Sequence, residues 1–350
     1  MKILIVRLSS LGDILHLFPA ISDLHRQLPD AELHYLVEPA FAEMVGWHSA
    51  IRKVLTVPLR SHKKAWWKLP KLLSGLKRQL KAEKYDLVLD AQGLLKSALL
   101  ARLAGADIYG FDKDSAREAL VTKFYKKMAS VPKGLHVIEK NRQLVAELFG
   151  ANISQAADFG LQHFCRQQGA LPLTVAEFSG LPTLVLLHGT TWNSKYWPES
   201  MWYELIGLLT RQGIQCLLPW GSAAEQLRAR RLQGAGGKLA QVLPGLSLTE
   251  LMAVLLQSRG FVSVESGIGH LATVLDIPGL MLHGPTAPGY SGILDKSCLH
   301  ITSGLECSPC FKRDCPKISS AEDLPPCQLA ITVQRVFDHC LTMLNIQPLK

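Results

Sequence analysis

Met1-Lys2-Ile3-Leu4-Ile5-Val6-Arg7-Leu8-Ser9-Ser10-Leu11-Gly12-Asp13-Ile14-Leu15-His16-Leu17 is the stretch whose reading decides the fold. Met1 to Arg7 is mostly apolar and β-branched, Leu8 to Asp13 interrupts it, and from Ile14 apolar residues return at helical spacing. The pattern predicts a buried strand, a tight turn and a helix. A first strand that is apolar on both faces belongs in a parallel sheet covered by helices, where ligands gather at the carboxyl ends of the strands. The loop Ser9 to Asp13 is therefore expected to face a cleft. Asp13 has two readings there, an N-cap carboxylate or a general base aimed at a ligand.

Outward from this stretch the strand-then-helix alternation continues. The first helix is expected to run to about Leu28, with further strands at Ala31–Val37, Val54–Val57, Tyr85–Asp90 and Ile108–Phe111 and a helix through Lys81. Asp90, Gln92 and Lys96 would line the same edge as Asp13 if the strands are parallel, and Arg117 is a candidate anion clamp or an ordinary surface charge. The periodicity weakens between Gly150 and Leu181, which marks a domain boundary. A second series follows, with strands at Thr183–Leu187, Gln215–Pro219, Gly260–Val264 and Leu280–His283 and helices near Pro198–Gln212 and Ser247–Gln257. The expected architecture is α/β, two doubly wound Rossmann-like domains facing across a central cleft: 1–170, 171–328, and an amphipathic helix in 329–350.

The 350 residues suffice for two domains, and 48% hydrophobic with 19% charged residues is a soluble globular composition. No apolar stretch approaches the roughly 20 residues needed to span a bilayer, and no signal-peptide pattern precedes the first strand, so a cytoplasmic location is expected. The formal charge of +9 favours a polyanionic partner. Cations concentrate from Arg60 to Lys84 around Trp66 and Trp67, which reads as an interfacial, cationic amphipathic patch or as a solvated helix with inward tryptophans. No nucleic-acid motif accompanies it.

The loops of the second half are rich in small and hydroxyl residues at helix starts. Gly267, Ile268 and Gly269 can offer backbone N–H groups to an anion, and Thr190, Thr191 and Ser266 add hydroxyls. Lys195 would counter a diphosphate that becomes a leaving group, and His270 would donate to the same phosphate or serve as a structural hydrogen bonder. No Walker A spacing or complete dinucleotide fingerprint occurs, which disfavours an ATPase or a nicotinamide enzyme.

Ser9-Ser10-Leu11-Gly12-Asp13-Ile14-Leu15-His16, Asp90-Ala91-Gln92-Gly93-Leu94-Leu95-Lys96-Ser97, Thr190-Thr191 with Lys195 and Trp197-Pro198, and Ser266-Gly267-Ile268-Gly269-His270-Leu271 together resemble the lipopolysaccharide heptosyltransferases, glycosyltransferase family 9. The resemblance runs in order to about Pro288 and is nearest to the heptosyltransferase I branch. It implies a GT-B enzyme that inverts at the anomeric carbon without a metal or cofactor, moving heptose from ADP-L-glycero-β-D-manno-heptose to the Kdo of Kdo-lipid A. Heptosyltransferase II, or another ADP-heptose-using member with a heptose acceptor, is the alternative. On the family pattern Asp13 is the general base, Lys195 assists departure of ADP, and Thr190, Thr191, Lys195, Ser266, Gly267 and His270 hold the donor. Glu225 meets the adenosine ribose and Glu265 the heptose hydroxyls. Ser10, Gly12, Arg60, Lys63, Lys64, Gln92, Lys96 and Arg117 face the phosphorylated acceptor. The resemblance further implies a monomer, peripheral to the cytoplasmic face of the inner membrane, with the terminal helix crossing back to the first domain.

Two features depart from the pattern. Glu265 stands where the family usually has Asp. Cys307, Cys310, Cys315 and Cys327 resemble a segment of heptosyltransferase II more than of heptosyltransferase I, and they open a structural zinc reading. The absence of a second Cys-x2-Cys turn and the intervening Pro325-Pro326 favour free thiols or a loop staple instead. Neither would be catalytic.

Overall fold

The structure is a computed structural model that describes residues 1–59, 67, 69–164, 180–293, 297–320 and 323–347. It divides into two compact units, Met1–Arg166 and Gln167–Lys350.

In the first unit β1 (Lys2–Val6), β2 (Glu32–Val37), β3 (Ile51–Thr56), β4 (Leu87–Asp90), β5 (Asp107–Phe111) and β6 (Lys127–Ala129) form one sheet in the order β3-β2-β1-β4-β5-β6, every pair parallel. The second unit repeats the plan. Its β7 (Thr183–Leu187), β8 (Gln215–Leu218), β9 (Ala240–Val242), β10 (Gly260–Val264), β11 (Gly279–His283) and β12 (Cys298–Thr302) pair in parallel in the order β12-β11-β10-β7-β8-β9. This is the doubly wound order, and in each unit it reverses between the first and fourth strands, so the loops after β1 and β4, and after β7 and β10, flank a switch point. β7, β10 and β11 are buried along their whole length, as sheets covered on both faces require.

The first helix differs from expectation. It forms as α1 (Leu11–Leu15) and α2 (Phe18–Gln27), broken at His16–Leu17. Pro19 supplies the reason: it has no N–H for the preceding turn and fits only the first turn of a new helix. Among the described residues this unit also carries α3 (Ala42–Gly46), α4 (Leu69–Glu83), α5 (Leu95–Arg102) and α6 (Val137–Phe149). Sequence reading missed α6, which packs on α2. Asp23 on α2, with no side-chain exposure, receives Arg142 Nε at 2.7 Å and Arg26 Nη2 at 2.7 Å. Breaking a buried pair leaves a desolvated charge, so Asp23→Asn is expected to cost about 3–5 kcal/mol of stability in chemical denaturation at neutral pH.

The second unit carries α7 (Glu199–Arg211), α8 (Ala223–Gln233), α9 (Leu248–Gln257), α10 (Gly267–Val274), α11 (Pro288–Ser291), α12 (Pro326–Leu329) and α13 (Val333–Leu344). The final helical stretch is split because Thr332 caps α13, accepting from Arg335 N at 3.4 Å. Val336, Phe337, Cys340 and Leu341 of α13 belong to the same core as Trp197, Trp202, Leu205 and Leu282 of this unit. Trp197 and Trp202 meet edge to face with centroids 5.1 Å apart. No helix among the described residues is long and apolar enough to cross a membrane.

Candidate active site

Asp13 sits in the first turn of α1, at the switch point of the first sheet. It closes a capping box, with Oδ2 accepting from Ser10 N at 3.1 Å and Ser10 Oγ at 2.9 Å. Its other oxygen, Oδ1, is 3.0 Å from Arg7 Nη2 and 3.0 Å from Arg117 Nη2. Burial works against the charged form, but Arg7, Arg117 and the Ser10 donors outweigh it and hold the carboxyl far below its ordinary range. The N-cap itself is Ser10, and Asp13 completes the cap from the third helical position: Ser10 fixes one of its oxygens, and the other lies between two guanidinium groups.

Arg7 was not singled out from the sequence, because a cation at the end of an apolar strand looks like a strand terminus. It is buried, donates Nη1 to Ala91 O at 2.5 Å and so joins the loop after β1 to the loop after β4. Gln92 makes a second tie, its Oε1 accepting from Leu8 N at 2.9 Å. Asp90 is fully buried and receives Gln92 N, Gly93 N, Ser97 Oγ and Tyr125 Oη. It builds the turn and has no path to a ligand. Gly12 is buried in α1, Ser10 is exposed, Lys96 is exposed on α5, and Arg117 is half exposed. Arg60, Lys63 and Lys64, with Trp66 of the basic patch, lie outside the described residues.

In the second unit the loops after β7 and β10 meet around Glu265. Its Oε2 pairs with Lys195 Nζ, and its Oε1 lies 3.4 Å from His270 Nε2 and 3.3 Å from Ser291 Oγ. Burial pushes this carboxyl up, but His270 and Lys195 more than reverse it and hold it well below the usual carboxylate range. Thr190 Oγ1 reaches Glu265 O at 3.4 Å, and Thr191 is exposed beside it. Ser266 caps α10 by accepting from Gly269 N at 3.1 Å, so Gly267 and Ile268 begin the helix with N–H groups that have no partner within it. These donors, the Lys195 ammonium and the helix dipole form an anion cradle. Lys195 also lies over the Trp192 ring, 4.2 Å from its centroid.

Behind the cradle, Gly269 is held by packing: a Cβ there would come 2.5 Å from Ser263 Oγ and 3.0 Å from Met281 Cε. Gly269→Ala is expected to cost about 1–3 kcal/mol of stability, read as a lowered thermal midpoint. Glu225 lies in the first turn of α8, its Oε2 accepting from Gly221 N at 2.8 Å, with Gly189 so close that a Cβ there would meet Oε1 at 2.5 Å. His283 at the end of β11 bonds His300 at 2.9 Å, and burial pulls it down to about 3, so it stays neutral beside the cradle.

The cysteine segment braces the loop after β7. Ser194 N and Oγ donate to Arg313 O at 3.0 Å and Lys312 O at 2.6 Å, and Gln328 Nε2 donates to Ser194 O at 2.8 Å. Cys310 N and Phe311 N donate to Pro285 O at 3.1 and 2.8 Å. Cys307, Cys310, Cys315 and Cys327 are free thiols, and burial, then the neighbouring thiols, push Cys327 up to about 11. Among the described residues no three His, Cys, Asp or Glu side chains are arranged to hold a metal ion.

Residues 73–319 match the model of glycosyltransferase family 9 (heptosyltransferase). The chain is 42% identical over 353 residues to lipopolysaccharide heptosyltransferase 1 of Pseudomonas aeruginosa, covering 99% of this chain and 95% of that one. It superposes on Escherichia coli heptosyltransferase WaaC with ADP at a TM-score of 0.81 and 34% identity, covering 98% of this chain and 100% of that one. The same protein with ADP-2-deoxy-2-fluoro heptose gives a TM-score of 0.80 at 33% identity, covering 98% and 99% of the two chains.

Proposed function

The chain belongs to glycosyltransferase family 9 and is a heptosyltransferase of the GT-B class acting in lipopolysaccharide core assembly; from that premise we propose that it moves heptose from ADP-L-glycero-β-D-manno-heptose to the Kdo of Kdo-lipid A in a single inverting displacement. The observation that carries this reading is Asp13: a carboxylate at the switch point of the first sheet, held ionised and oriented by Ser10, Arg7 and Arg117. A Kdo hydroxyl attacks the anomeric carbon and passes its proton to Asp13. The proton affinity of Asp13 is low, so transfer comes late, when bonding to carbon has made the hydroxyl acidic.

The leaving diphosphate draws on Lys195, the hydroxyls of Thr190, Thr191 and Ser266, and the N-terminus of α10. These supply the charge a metal would otherwise provide, so the proposed reaction needs neither metal nor cofactor, and a chelator should leave the rate unchanged. Glu225 takes the adenosine ribose, and His270 supports the diphosphate. Glu265 serves the heptose hydroxyls and pairs with Lys195. Ser10, Gly12, Gln92, Lys96 and Arg117, with Arg60, Lys63 and Lys64, meet the anionic acceptor. The enzyme works as a monomer, peripheral to the cytoplasmic face of the inner membrane.

Mass spectrometry of two parallel reactions tests the acceptor. Kdo-lipid A should gain one heptose. Product only on an acceptor that already bears heptose would move the chain to the heptosyltransferase II activity that its cysteine segment resembles.

A further inference from the structure

We propose that the outer face of α5, together with the turn Ala119–Phe124 beside it, docks the protein on an anionic lipid bilayer. Ser97, Ala98 and Ala101 bury the inner face of α5, which leaves Leu95, Lys96, Leu99 and Arg102 outward. Leu95 N donates to Glu118 Oε2 at 2.6 Å at one end, and Arg102 lies over the Phe124 ring at 5.9 Å at the other. The turn therefore runs alongside the helix, adding Leu120 and Lys123 to the same strip. Leu99 is 48% and Leu120 61% exposed, far more than the core needs.

At the Arg102 end, Arg102, Lys123, Lys126 and Phe124 line a pocket of about 300 Å3 in which Asp107, paired with Lys126, is the one carboxylate. Leucines set among cations suit the boundary between acyl chains and phosphate headgroups, where aliphatic stems of Lys and Arg lie along apolar surface and their charges meet lipid phosphates. A protein partner would select against such lysines at the centre of its interface. Glu118 follows Arg117, whose guanidinium holds Asp13, so the strip borders the base. A bilayer there would keep the sugar of a lipid-linked acceptor within reach of Asp13; this last step rests on the function proposed above.

Co-sedimentation with vesicles of phosphatidylcholine, alone or with phosphatidylglycerol, tests the surface. Wild type should bind only the anionic vesicles, and added salt should weaken binding. Leu99→Asp/Leu120→Asp and Arg102→Glu/Lys123→Glu should each weaken it about tenfold or more. Both variants should still transfer heptose to a deacylated, water-soluble Kdo acceptor as wild type does, which shows that they fold. Variants that bind vesicles like wild type, a wild type that ignores anionic vesicles, or loss of a dimer instead of loss of vesicle binding would overturn the proposal. Vesicle binding without transfer to any acceptor would leave the surface standing and remove the proposed activity.

Discussion

Asp13→Asn is expected to lower heptose transfer about 10²–10⁴-fold while ADP binding stays as in wild type. The substitution keeps size and most hydrogen bonding, since the amide oxygen can still accept from Ser10 or Arg7, but it removes the proton acceptor. On the proposed reading ADP is held by groups of the second unit, so calorimetry with ADP separates lost chemistry from lost structure. The pH dependence has a defined sign. The Asp13 carboxyl titrates below its ordinary 3.8, so it stays ionised from neutrality down through mildly acid pH, and no acid limb from Asp13 should appear there. Its contribution to stability is present above that ordinary value and is lost only as pH falls through the depressed one.

Lys195→Ala should slow transfer by about 10²–10³, because on the proposed reading the charge that develops on the departing diphosphate loses the ammonium that counters it. Unlike the Asp13 variant, it should also weaken ADP binding. It leaves buried Glu265 with His270 as its remaining basic partner, so that carboxyl loses part of what holds it ionised and should titrate upward. Lys195→Arg should recover part of the rate by restoring charge. Steady-state rates and calorimetry with ADP check both variants. A Lys195→Ala enzyme with normal rate and normal ADP affinity would show that the cradle works without this ammonium.

The sheets were legible in the sequence where strands were apolar on both faces. β1 and β7 carry runs of Ile, Leu and Val, β10 reads Gly-Phe-Val-Ser-Val and β11 Gly-Leu-Met-Leu-His, and the loops after three of the four hold the candidate site. Three edge strands were not: β6 and β9 have only 3 residues each, and β6, β9 and β12 are all partly exposed, so no continuous apolar run marks them. The break between α1 and α2 was written in Pro19 but masked by apolar spacing that continues across it. Asp13 could be located from its loop, whereas Arg7 could not, because its role depends on Ala91 and Asp13 meeting across two strands. The tie between Asp23 and Arg142, 119 residues apart, was invisible for the same reason. The cysteines were noticed as a motif, yet their structural part lies in the backbone carbonyls of Lys312 and Arg313, which no side-chain pattern reveals.

Nuclear magnetic resonance of the purified product, reading the anomeric configuration of the transferred heptose, tests the central claim most directly. Attack by a hydroxyl that loses its proton to Asp13 displaces ADP from the opposite face, so a β-linked donor should give an α-linked heptose. A β-linked product would mean retention, and it would contradict a single displacement with Asp13 as the base.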